Sequence, residues 1–248
     1  MKKKRLKNIR IGAVFFAILL VLSVVWLYTR NGLTQSKAKV LRFLPLPIAL
    51  VDSKPLFAEG FLQIKNSLSD PNKFSDREVY EAYINYEAKK TLVQKLKISF
   101  DEKSGWSNIF KNSESLDVAL KTYFNQSEVL NPEPYNLSKN LVSRIRQGED
   151  FANVAKSYSN DEYSKYFGGF AGILTYNEVL PEIKAKLEVV RVGEISVMAS
   201  RYGLHIIQVT EKLSEKAQIR QINLLVPGYE KWLESELDKI KIKIIIKP

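Results

Sequence analysis

The sequence predicts an α+β protein, with an antiparallel sheet and surrounding helices preceded by a mostly helical module and one transmembrane helix. Three observations predict it. An uncharged apolar run fills residues 11–28, helical periodicity continues from about residue 57 to 126, and from Asn136 amphipathic helical segments alternate with short β-branched runs.

The apolar run comes first. As a helix its 18 residues would nearly match a hydrocarbon core of about 30 Å. It has no polar face, which argues against a buried core helix. Trp26, Tyr28 and Arg30 form an interfacial end and no Ala-x-Ala pattern follows, so an uncleaved anchor over 11–29 is favoured over a cleaved signal. All the flanking positive charge but Arg30 precedes the run, which places residues 1–10 in the cytoplasm and the C-terminal bulk outside it.

Residues 30–45 are largely polar and aperiodic and read as a linker. Residues 48–51 read as a short strand, and Asp52-Ser53-Lys54-Pro55 as a turn into a helix from about Phe57. Ser75-Asp76-Arg77-Glu78 has the form of a capping box and should open a long helix. Val79, Tyr83, Tyr86, Val93 and Leu96 hold one face of that helix, either as core or as a partner-binding groove. Asn131-Pro132-Glu133-Pro134 interrupts the helical run, which sets a boundary between a module at 46–135 and a domain at 136–248.

In that domain Leu137, Leu141 and Ile145 mark one helix ending at Gly148, and Phe151, Val154, Ala155 and Tyr158 a second. The glycine-rich run 168–172 permits a tight turn but lacks the lysine of a phosphate loop. Pro181 suits the first turn of a third helix. Residues 195–199 and 204–209 read as strands joined at Arg201-Tyr202-Gly203. A last helix, with Tyr229, Trp232, Leu233 and Leu237, leads into an apolar strand at 240–246.

Composition excludes several chemistries. With no cysteine and one histidine in 248 residues, a disulfide framework, a thiolate nucleophile, an iron–sulfur cluster and a Cys/His zinc site are ruled out. The net charge of +11 is concentrated at the start, because residues 1–30 hold seven basic side chains and no acidic one. The remaining 218 residues carry 31 basic against 27 acidic side chains, an ordinary surface that gives no sign of a nucleic-acid partner.

The runs "GEDFANVAKSYSND", "GGFAGIL", "VLPEI", "VGEIS" and "SRYGLHIIQV" resemble, in order, the parvulin (PpiC, or rotamase) family of peptidyl-prolyl isomerases over about residues 141–212. More faintly, 48–66 resembles the opening of the chaperone module that precedes such domains in foldases. The resemblance implies non-covalent chemistry without cofactor or metal, on proline-containing unfolded or newly exported polypeptides. It places His205 at the family's strand histidine, Asp161 at its cysteine-or-aspartate position and Ser200 at a nearby hydroxyl position. The substrate pocket falls on Ala171, Val179 and Ile183, and Phe170 stands where the family usually carries aspartate. The family's first strand, with its other histidine, has no match before Leu141. Residues 219–226 resemble it, with Asn223 at the histidine's place, so the domain reads as circularly permuted.

Two functions lead, ahead of an envelope structural protein without client binding, which the fold alone leaves open. One is an extracytoplasmic peptidyl-prolyl isomerase with His205, Asp161 and Asn223 at its centre and Ala171, Val179, Ile183, Ser200 and Phe170 around the substrate. The other is a parvulin-fold chaperone or scaffold with little or no catalysis, in which His205 completes a buried hydrogen-bond network.

Overall fold

A computed structural model describes residue 23 and residues 32–44, 46–70, 72–102 and 109–247. The described residues form two compact units. The first takes the residues up to Lys95, with Glu102–Ser113 and the segment from Glu236, and the second takes Leu96–Asp101 and Glu114–Ser235. This division differs from a single cut at 135/136, because the chain's end belongs to the first unit.

In the first unit, helix α1 (Gln35–Leu41) replaces the expected linker. Thr34 caps it by accepting from Lys37 N at 3.2 Å, and Ala38 and Leu41 are buried. Strands β1 (Pro47–Val51) and β2 (Lys54–Phe57) form a hairpin where a turn into a helix was expected. The reason lies in Asp52 and Ser53, whose φ angles of 49° and 72° make the two-residue turn with positive φ that matches strand twist. Helix α2 (Ala58–Ser67) follows, then α3 (Asp76–Lys95) with the predicted capping box. There Glu78 Oε2 accepts from Ser75 N at 2.7 Å, and Ser75 Oγ accepts from Glu78 N at 3.2 Å. Strand β7 (Ile242–Ile244), the chain's last, pairs antiparallel with β1, giving the order β2-β1-β7.

In the second unit, α4 (Ile109–Gln126, of which the last part lies here), α5 (Pro132–Arg146), α6 (Phe151–Tyr158) and the short α7 (Glu162–Tyr166) precede β3 (Phe170–Thr175). Helix α8 (Pro181–Val189), strands β4 (Ile195–Ser200), β5 (Gly203–Lys212) and β6 (Lys216–Leu224), and α9 (Tyr229–Leu237) follow. The sheet is antiparallel with order β3-β6-β5-β4, so β6 lies between β3 and β5. Side-chain alternation divides its faces. Leu204, Ile206, Ile222 and Leu224 point to α5 and α6, where they pack with Leu141, Val142 and Val154. Ile207, Val209, Ala217 and Ile219 point the other way, against Ile183 and Leu187 of α8. Strand β6 is two residues shorter at its end than the expected 219–226, and the expected strand at 240–246 contributes to the other sheet.

The transmembrane helix and the single-pass membrane localisation are corrected here. Among the described residues no helix is long and apolar enough to cross a membrane. The 20-residue α3 has the length, but Asp76, Arg77, Glu78, Glu81, Glu87, Lys89, Lys90 and Lys95 exclude it. The expected anchor at 11–29, Ser23 apart, and the basic tail 1–10 lie outside the described residues. The fold is α+β, with antiparallel sheets and helices.

Candidate functional site

A cavity of about 480 Å³ opens in the second unit on the face of the sheet that carries α8. Its walls divide by chemistry. Leu174 of β3, Val179, Leu180, Ile183, Ile207 and Ile219 make an apolar wall, while Asp161, His205, Gln221 and Asn223 make a polar one.

Strand register builds the polar wall. His205 on β5 pairs with Asn223 on β6 and with Met198 on β4. Directly paired side chains stand on the same face, so His205 and Asn223 meet across the strands. Asn223 Nδ2 lies 3.3 Å from His205 Nδ1 and 3.5 Å from Nε2. Ser200 Oγ lies 2.7 Å from His205 Nε2 and accepts from Tyr202 N at 3.0 Å. Burial, with 5% of the residue exposed, pushes the His205 imidazole below its ordinary pKa; Gln221 and the charges of Asp161 and Glu182 oppose this only in part. At neutral pH the ring is neutral and acts as a hydrogen-bonding group.

Asp161 does not touch His205 directly. Gln221, two residues before Asn223 and therefore on the same face, donates from Nε2 to Asp161 Oδ2 at 2.7 Å, and Ser164 Oγ donates to the same oxygen at 2.6 Å. Buried Ser159 links the parts by accepting from Asn223 N at 3.1 Å and Asp161 N at 3.3 Å. The β4–β5 turn is held by Asn125 Nδ2, which donates to Ser200 O at 2.7 Å, and by Glu182, which pairs with Arg201 Nε at 3.0 Å.

The structure brings His205, Asp161, Asn223, Val179 and Ile183 together in the cavity. Ser200 is fully buried behind His205 and touches it without lining the cavity. Ala171 packs into the adjoining apolar cluster but does not line the cavity either. Phe170 is 42% exposed and outside the lining, because a register shift between Phe170 and Gly172 interrupts the alternation of β3. Sequence reasoning missed Gln221, Tyr202, Ser159 and Leu174. Gln221 was legible in principle, since it lies two residues from Asn223 on a strand.

Part of the segment that builds the site is matched by a family model. Residues 107–213 match the model described as "PPIC-type PPIASE domain". The chain carries a parvulin-type domain. The "Parvulin-like PPIase" of Rickettsia bellii is 28% identical over 188 residues, covering 71% of this chain and 61% of that protein. The "Foldase protein PrsA" of Clostridium kluyveri is 25% identical, covering 83% of this chain and 64% of that protein. The "Chaperone SurA" of Alkalilimnicola ehrlichii is 37% identical over 75 residues, 30% of this chain and 17% of that protein. The chain thus spans less than two thirds of the length of each of these relatives. The matched segment of the parvulin-type domain ends at residue 213, so β6, with Gln221 and Asn223, lies beyond it.

Proposed function

We propose that the chain assists polypeptide folding as a peptidyl-prolyl isomerase, with unfolded or newly exported proline-containing chains as its clients. One observation carries this reading: an apolar cavity within a parvulin-type domain has His205, Asn223, Asp161 and Gln221 gathered along one wall. A proline ring fits the apolar wall by Leu174, Val179, Ile183 and Ile207, which leaves the preceding amide beside the polar one.

The barrier to be lowered is about 18–20 kcal/mol and comes from conjugation along the C–N bond. In the twisted state the nitrogen regains a lone pair and the carbonyl loses its amide character. Donors already in place therefore bind that state better than the planar one. Asn223 Nδ2 is such a group, with one N–H left over when the other faces His205, and Ser159 and the His205 ring, itself bonded to Ser200, hold it so that no reorganisation is needed. No bond to the enzyme forms and no proton need leave it.

A second reading, a chaperone that binds proline segments with little catalysis, is favoured by Asn223 itself, an amide where the resemblance implied a second imidazole. Proline-limited refolding of a model protein separates the two. The isomerase reading expects acceleration by the chain and a drop of about tenfold or more in His205→Ala, the scale of one hydrogen bond made in the transition state. Binding of the unfolded substrate without acceleration would leave the chaperone reading, and Asn223→His should then raise the rate.

A further inference from the structure

We propose that the cavity selects proline segments flanked by basic residues, because a carboxylate stands at each of its ends. The proposal rests on the reading that the cavity holds a proline-containing chain, and it adds the charge of the residues around the proline.

Asp161 marks one end. Both of its donors, Ser164 Oγ and Gln221 Nε2, are on Oδ2, which leaves Oδ1 without a hydrogen bond among the described residues. Glu178 marks the other end, where Oε2 accepts from Thr175 N at 3.2 Å. Hydrogen bonds from Thr175 and the charge of Lys216 hold Glu178 below the ordinary carboxylate pKa, so it is ionised at neutral pH.

Sheet register sets their separation. Thr175, which anchors Glu178, pairs with Lys216 of β6, and Gln221, which anchors Asp161, lies five residues further along that strand. At about 3.3 Å per residue the two anchors are roughly 16 Å apart. An extended peptide covers that distance in about five residues. A proline at the cavity's centre then brings the side chains two places before and two places after it near one carboxylate each.

The lining contains no lysine or arginine. Lys216, beside Glu178, offsets part of one charge, while Arg201 is engaged by Glu182 and adds no net positive charge. A lysine or arginine on the client therefore meets an uncompensated carboxylate at the Asp161 end and a partly compensated one at the Glu178 end. An acidic side chain meets repulsion at both. The field of the folded part works weakly in the opposite sense, since residues 31–248 carry 31 basic against 27 acidic side chains, a net of +4 that attracts acidic peptides. A preference for basic flanks therefore has to come from the cavity.

The test uses the full chain and three short synthetic peptides: a central proline with lysine two places to either side, the same with glutamate, and the lysine peptide with alanine for proline. Binding is followed by the ring resonances of His205, the chain's single histidine. The lysine–proline peptide should shift those resonances and bind at least about fivefold tighter than the glutamate peptide, the scale of one or two screened ion pairs. The preference should shrink with added salt and vanish in the Asp161→Asn/Glu178→Gln variant, with Glu178→Gln alone, on the surface, reducing it without risk to folding. Equal affinity for the two charged proline peptides, or a preference that survives the double variant, overturns the charge inference and leaves the proline reading standing. If the alanine peptide binds as well as the proline peptide, or if no peptide moves His205, the proline reading itself falls and this one with it.

Discussion

His205 shows how a single environment sets a residue's chemistry. Alone in the sequence it is a group that titrates near neutrality; on β5 it is buried, bonded to Ser200 and faced by Asn223. Its pKa lies below the ordinary 6.5 in the folded chain. The unfolded chain therefore binds more protons as pH falls below about 6.5, and stability drops there, while above that window this residue adds no pH dependence. Denaturant midpoints of the native chain and of His205→Gln, measured across that window, should converge toward acid pH relative to their difference at pH 8. A difference independent of pH would show that the ring titrates alike in both states. Gly203 supplies a second test at this scale. Its φ of +131° disfavours side chains, and a Cβ there would lie 2.2 Å from Leu224 O of the neighbouring strand. Gly203→Ala should cost about 2 kcal/mol in chemical denaturation, and a loss below a few tenths would mean that β5 and β6 are less tightly joined than the register implies.

At the scale of elements, local signals were legible where the chain's own spacing determines the outcome. The capping box at Ser75–Glu78 opened α3 because both partners lie within one turn, and Glu78→Ala should cost about 1 kcal/mol, read as a lowered melting temperature. The hairpin β1–β2 was missed because its turn carries Asp and Ser at positive φ in place of the usual Asn-Gly. The strand that brings Asn223 to His205 could be read from apolar density in 219–226, whereas the exposure of Phe170 could not be read from its motif. A β-strand shows one face to each side only while its alternation is unbroken, and the shift between Phe170 and Gly172 is invisible in a list of residues.

For the molecule as a whole, the placement of the C-terminal segment has a measurable consequence. Ile240 and Ile246 are buried in the first unit, β7 pairs with β1, and Tyr80 Oη lies 2.9 Å from Ile48 O and 2.8 Å from Ile246 O. Two isoleucines at roughly 1.5–3 kcal/mol each are a sizeable part of a total stability of about 5–15 kcal/mol. A chain ending at Ser235 should therefore lose the cooperative melt of the first unit while the His205 resonances keep their native positions. One ending at Lys212 should lose those as well, since β6 is gone. Native His205 resonances in the chain ending at Lys212 would show that β6 is dispensable to the site.

The sequence by itself determined the helical phases, the caps, the absence of thiol and metal–cysteine chemistry, and the clustered motifs that resemble parvulin domains, because each depends on neighbours along the chain. It also pointed to His205, Asp161 and Asn223. Only the tertiary structure decided that Asp161 reaches His205 through Gln221 and not directly, that Ser200 stands behind the ring, and that the last strand completes the first unit's sheet. Those outcomes are settled by strand register and by pairing across long sequence separations. Many pairings are compatible with one alternating pattern, and packing of the two sheet faces chooses among them.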